Sequence, residues 1–178
     1  MQDKQYLNIA AIFATETETL REIAHLIAHH QCDILDWRLY QHGNRHNLHF
    51  LIGGTWAVIA KLEPKLNTLA KKRSMQILME RTNMTPPQKN FFPYNLYIIA
   101  EDNPENFHQI IRYLNQPDIF IHEINIDSYK ARYTETPMLS ITIKIQFSVN
   151  LSISEWREHF MLFCDDLNFD SIMEPEKT

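Results

Sequence analysis

The chain has 178 residues, 44% of them hydrophobic, and 17 Lys and Arg against 22 Asp and Glu give a net charge of -5. That length suits two small domains, and a mildly acidic chain without a Lys/Arg block is a poor direct ligand for DNA. Two cysteines, Cys32 and Cys164, are too few and too far apart for a zinc motif or a disulfide framework, so a reducing compartment fits best.

The first residues lack a charged region followed by a cleavable apolar run, and no stretch approaches membrane-spanning length, so a cytoplasmic protein is expected. A strand is predicted from Tyr6 to Ala14, then a helix from about Glu18 to His30 whose Leu20, Ile23, Ala24 and Ile27 define a buried side. Strands follow near Cys32 to Gln41 and Arg45 to Gly53, joined by Gly43-Asn44, a hairpin signal. Thr55 is a candidate cap for a second helix with Ile59, Leu62, Leu66 and Leu69 inward, and Pro64 inside it predicts a kink. A strand from Ser74 to Arg81 completes the set. A polar, proline-bearing stretch then divides the chain into a first domain at 1–82, a linker at 83–93 and a second domain at 94–178.

The second domain repeats the order. Asn103 and Pro104 open a helix with Phe107, Ile110, Ile111 and Leu114 on one stripe. Leu139, Ile141, Ile143, Ile145, Phe147 and Val149 alternate with polar residues, as a strand with one buried face requires. Ser152 and Glu155 have capping-box spacing before a helix whose inner side is Trp156, Phe160, Phe163, Cys164 and Leu167. A short strand from Phe169 to Met173 closes a second βαββαβ unit. The self-similarity lies in element order and not in residue identity.

No catalytic constellation accompanies this architecture. Ser140, Ser148 and Ser154 lack a Gly-x-Ser-x-Gly context, three glycines cannot form a phosphate loop, and Asp165-Asp166 has no evident partner acid or base. Catalytic residues and cofactors are therefore expected to be absent. His25 and His29 have the i, i+4 spacing of metal ligands, but their phase points them to solvent and no third ligand follows, so no metal is assigned. His42, His46 and His49 read as ordinary sheet histidines, and Lys71-Lys72-Arg73 complements a helix C-terminus. Phe91-Phe92-Pro93-Tyr94 is read as packing the linker onto the second domain, with an interface role as the alternative; Trp37, Trp56 and Trp156 lean toward core.

The doubled βαββαβ order, the segments Asp33-Ile34-Leu35-Asp36-Trp37-Arg38-Leu39 and Gly54-Thr55-Trp56-Ala57-Val58-Ile59-Ala60-Lys61-Leu62-Glu63, and the ending from Leu151-Ser152-Ile153-Ser154-Glu155-Trp156 through Cys164-Asp165-Asp166-Leu167-Asn168 resemble the glycine cleavage system transcriptional repressor family. The resemblance covers nearly the whole chain. It implies an α+β fold of two ferredoxin-like βαββαβ (ACT) sandwiches, each an antiparallel four-stranded sheet with helices on one face. It also implies a cytoplasmic regulator that responds to glycine and represses through a LysR-type activator.

Amino-acid-binding ACT domains typically carry an Asp-x-x-Gly-like loop between the first strand and first helix. Here the first loop reads Ala14-Thr15-Glu16-Thr17-Glu18-Thr19 and the second Glu101-Asp102-Asn103-Pro104-Glu105, and neither contains glycine. In one reading Glu16 or Glu18 holds a ligand ammonium, Thr15 or Thr17 and backbone groups take the carboxylate, and Asp33 and Ile34 complete the site. In the other, which the commonness of such caps favours, these residues are ordinary helix caps. Two small sandwiches without chemistry read as a sensor or adaptor that associates into a homo-oligomer. An amino-acid-responsive regulatory subunit of a metabolic enzyme and a purely structural oligomerisation module are the alternatives.

Overall fold

A computed structural model describes residues 4–84 and 90–176. The chain divides into two compact units, Met1–Pro86 and Pro87–Thr178. The first contains β1 (Lys4–Ala14), α1 (Thr17–His29), β2 (Asp33–His42), β3 (Arg45–Thr55), α2 (Trp56–Lys72) and β4 (Gln76–Thr82), with sheet order β2-β3-β1-β4. All neighbouring strands are antiparallel. Alternation on the central strands sends Leu7, Ile9, Ala11 and Phe13 of β1 and Leu48, Phe50 and Ile52 of β3 to the same side. There they meet Ile23 and Ile27 of α1 and Ile59, Leu62, Leu66 and Leu69 of α2, so the helices cover one face of the sheet.

The second unit contains β5 (Phe91–Glu101), α3 (Pro104–Leu114), β6 (Ile119–Lys130), β7 (Pro137–Ser148), α4 (Ile153–Asp166) and β8 (Asp170–Pro175) in the order β6-β7-β5-β8. Its core joins Leu96 and Ile98, the inward row from Leu139 to Phe147, and Ile110, Leu114, Trp156, Phe160 and Cys164 of the helices. The twofold βαββαβ architecture of antiparallel sheets and one-sided helices is thus the ferredoxin-like fold in tandem. Burial pushes the Cys164 thiol up, as suits an inert core sulfur.

Several local expectations need correction. Thr19, fully buried, takes the inward position on α1 that was expected of Ala24, which is exposed. The kink expected at Pro64 is not among them: α2 runs without a break through the proline, as a kinked helix also can, and Thr68 Oγ1 donates to the Pro64 carbonyl at 2.9 Å. Pro64 lies on the exposed side of the helix, where water can serve the carbonyl that its missing N–H leaves free. Trp56 is 61% exposed, with the Arg81 guanidinium 5.8 Å from its ring centre, whereas Trp156 is core and Trp37 is half-buried against Phe50. Val149 falls just beyond β7 and is exposed. Ser152 is the N-cap of α4 but its side chain makes no capping bond.

Within the expected linker, 85–89 lie outside the described residues, and Phe91, Phe92 and Pro93 are strand: Phe91 pairs with Ser148 and Pro93 with Gln146. Pro93 is tolerated because β8 pairs only from Tyr94 onward, and the Pro93 carbonyl accepts from the Glu176 N–H at 3.0 Å. Phe91 packs edge-on against Phe120 and Tyr94 against Phe147, while Phe92 stays half-exposed.

Candidate functional site

In the ferredoxin-like arrangement the turn from β1 into α1 delivers a helix N-terminus to one end of the sheet. Glu16 is the N-cap of α1, in extended backbone, but its side chain caps no backbone N–H. Its carboxylate instead accepts from Thr19 Oγ1 at 2.7 Å. The capping expectation therefore fails for the first loop, and the first-turn N–H groups of α1 have no side-chain acceptor. Thr15 is held by its own N–H, which donates to the Asn44 carbonyl of the β2–β3 turn at 3.3 Å, and Thr17 is exposed. Glu18 faces Arg21 through two bonds of 2.6 and 3.0 Å, with Arg73 at 3.7 Å. The Arg21 bond, aided by Arg73, holds its carboxyl below the usual range.

The corresponding loop of the second unit is closed. Asn103 Oδ1 accepts from the Glu105 N–H at 3.0 Å, Asn106 Nδ2 donates to the Glu101 carbonyl, and Ser128 Oγ donates to Asp102 Oδ2 at 2.7 Å. Here the capping reading holds for Asn103, whose side chain takes the Glu105 N–H of the first turn.

Asp33 and Ile34 stand apart from the other expected site residues. β1 pairs Lys4 with Thr55 and Ala14 with Arg45, and β2 pairs Asp33 with Gly53 and His42 with Arg45. Asp33 and Ile34 are thus at the opposite end of the sheet from Thr15 to Glu18, roughly 25–30 Å away at the rise of a strand. Asp33 forms an ion pair with Lys4 at 2.6 Å, and Ile34 is 55% exposed beside a bulge. Within one chain the six residues form two groups, not one site.

His46 is the residue that the sequence reading passed over. It pairs with Phe13 across β3 and β1, lies edge-on to the Phe13 ring at 5.5 Å, and is 9% exposed on the helix-facing side. Its Nδ1 is buried without a hydrogen-bond partner among the described residues. A buried polar atom in that state costs about 1–3 kcal/mol, and it sits at the sheet end where the α1 N-terminus is uncapped. The signal was available in the sequence: His46 keeps phase with Leu48, Phe50 and Ile52, the inward row of β3.

Elsewhere, His25 and His29 are exposed with rings stacked at 6.1 Å, and among the described residues no three His, Cys, Asp or Glu side chains gather as a metal set. No helix among them is long and apolar enough to cross a membrane.

A tandem βαββαβ protein with an open helix terminus in its first unit is the class that these features define. Residues 9–80, within the first unit, match the ACT domain family, and the second unit repeats the fold of the first. Over its whole length the chain is similar in structure to a candidate glycine cleavage system transcriptional repressor, with 19% identity, a TM-score of 0.75, and coverage of 98% of this chain and 99% of that one. It is equally similar to an unknown protein from Galdieria sulphuraria, with 13% identity, a TM-score of 0.75, and coverage of 98% and 100%. At such identities the likeness is one of fold. Among curated proteins none matches the chain.

Proposed function

We propose that this protein is a non-catalytic cytoplasmic regulator of the glycine cleavage repressor type. It senses glycine or another small amino acid at the β1–α1 loop of its first unit and acts by contact with a LysR-type activator. The observation that carries the sensing part is the pairing of an uncapped α1 N-terminus with the orphaned His46 Nδ1 at the same end of the sheet. The carboxylate of an amino acid matches the free N–H groups and the positive end of the helix dipole. Glu16 offers a second acceptor oxygen to the ammonium. Glu18 is already engaged by Arg21 and Arg73, so its repulsion of a carboxylate is reduced. The ligand must bind two assembly states unequally to transmit a signal.

Capture of a purified LysR-type activator by the full chain, with and without glycine, tests the regulatory part. A complex whose amount changes with glycine is expected. Absence of a complex under both conditions overturns it.

A further inference from the structure

On the outer side of the first unit, α1 and α2 border a groove of about 270 Å³. Its floor is apolar, with Leu26, Leu69 and the Thr68 side chain, and its rim carries His25, Lys65 and Lys72. Lys61, Lys65 and Lys72 stand at i, i+4 and i+11 on α2, which places them on one stripe of the helix. Lys61, Lys65 and Lys71 form no ion pair among the described residues. The groove's single carboxylate, Glu22, is already matched by Lys72 and Arg73, each at 2.7 Å. A chain of net charge -5 thus presents an apolar trough with a cationic border.

We propose that this α1–α2 groove docks an acidic amphipathic helix of a partner protein. Aliphatic anchors one turn apart would enter over Leu26 and Leu69, and flanking Asp or Glu side chains would meet Lys61 and Lys65. The trough lies between two helices whose backbone groups are bonded internally, so it offers no strand edge to an extended peptide; a helix, with its own backbone satisfied, fits that surface. The apolar floor distinguishes this surface from a site for a phosphate chain, which would leave Leu26 and Leu69 uncovered. The proposal rests on the reading of the protein as a regulator that works by protein contact, and names the partner chemistry.

The test uses the intact chain and a labelled synthetic peptide of about four helical turns, with Leu on one stripe and Glu on its flanks. A second peptide has Lys in place of every Glu. Fluorescence anisotropy is expected to show saturable binding of the acidic peptide that weakens as salt rises, and little binding of the basic one. In the K61E/K65E variant the acidic peptide should bind about tenfold or more weakly, with an unchanged circular dichroism spectrum and Tm, since both lysines are exposed and unpaired. No saturable binding, equal affinity in the variant, or equal affinity for the basic peptide overturns the proposal. Tighter binding of a single-stranded oligonucleotide at the same lysines also overturns it, in favour of a polyanion site. Activator capture that persists undiminished in K61E/K65E would overturn the groove while leaving the regulatory reading intact. Loss of capture by the unaltered chain, with the acidic peptide still bound, would do the reverse.

Discussion

Glu22 shows how a single side chain on α1 links the two helices of the first unit. Its carboxylate accepts from Arg73 and Lys72, and these two bonds pull its pKa from an ordinary 4.5 to about 2. A carboxyl whose pKa falls on folding stabilises the fold above its unfolded value, and that contribution is lost as pH drops from about 4.5 toward about 2. Urea unfolding monitored at Trp37 should therefore show a loss of first-unit stability across that window, and Glu22→Gln should flatten it. Identical pH slopes in both proteins would contradict the assignment. Lys72 is well exposed, so added salt should shrink the effect. Residue types and spacing in the sequence exposed the basic triplet but not its partner, because Glu22 lies some fifty positions away and only the packing of α1 on α2 brings the charges together. His46 escaped for a different reason: its neighbour His49 faces outward, and the pair invited one description for two opposite faces of β3.

The elements themselves were legible wherever apolar period and burial agree. The inward rows of β7 and α2 were read directly from the spacing of Leu, Ile and Phe. Helix ends were harder to read because glycine does not mark them. α1, α2 and α4 are each followed by a left-handed residue, Gln31 at φ 55°, Ser74 at φ 48° and Asn168 at φ 55°. Each end is closed by paired return bonds, for example Met75 N–H to the Ala70 carbonyl at 2.9 Å and Ser74 N–H to the Lys71 carbonyl at 3.5 Å. A side chain other than glycine in that conformation costs about 1–2 kcal/mol, with Asn the least penalised. Ser74→Gly should therefore stabilise the first unit by about 1 kcal/mol in urea unfolding, whereas Asn168→Gly should gain less in the second. A loss of stability in Ser74→Gly would show that its side chain supports the turn in a way that these bonds do not reveal.

Across the whole molecule, the same order of strands and helices is used twice with different treatment of the loop after the first strand. The first unit leaves the helix start without a side-chain cap, at the sheet end where the buried His46 Nδ1 has no hydrogen-bond partner among the described residues; the second caps its helix through Asn103, with Asp102 and Ser128 bonded to each other beside it. The duplicated order was visible in the sequence because it depends on local pattern. The separation of Asp33 and Ile34 from Thr15, Glu16, Thr17 and Glu18 was not, since it follows from the crossover of α1, which returns the chain to the opposite end of the sheet before β2 begins. On the proposed reading, the first unit is the one that receives an amino acid. Calorimetric titration of glycine and a small amino-acid panel into the full chain, into His46→Leu and into Asn103→Ala tests this most directly. Saturable heat with one site per chain, lost in His46→Leu and kept in Asn103→Ala, is the predicted result. No heat from any small amino acid, or heat unchanged by His46→Leu, would contradict it.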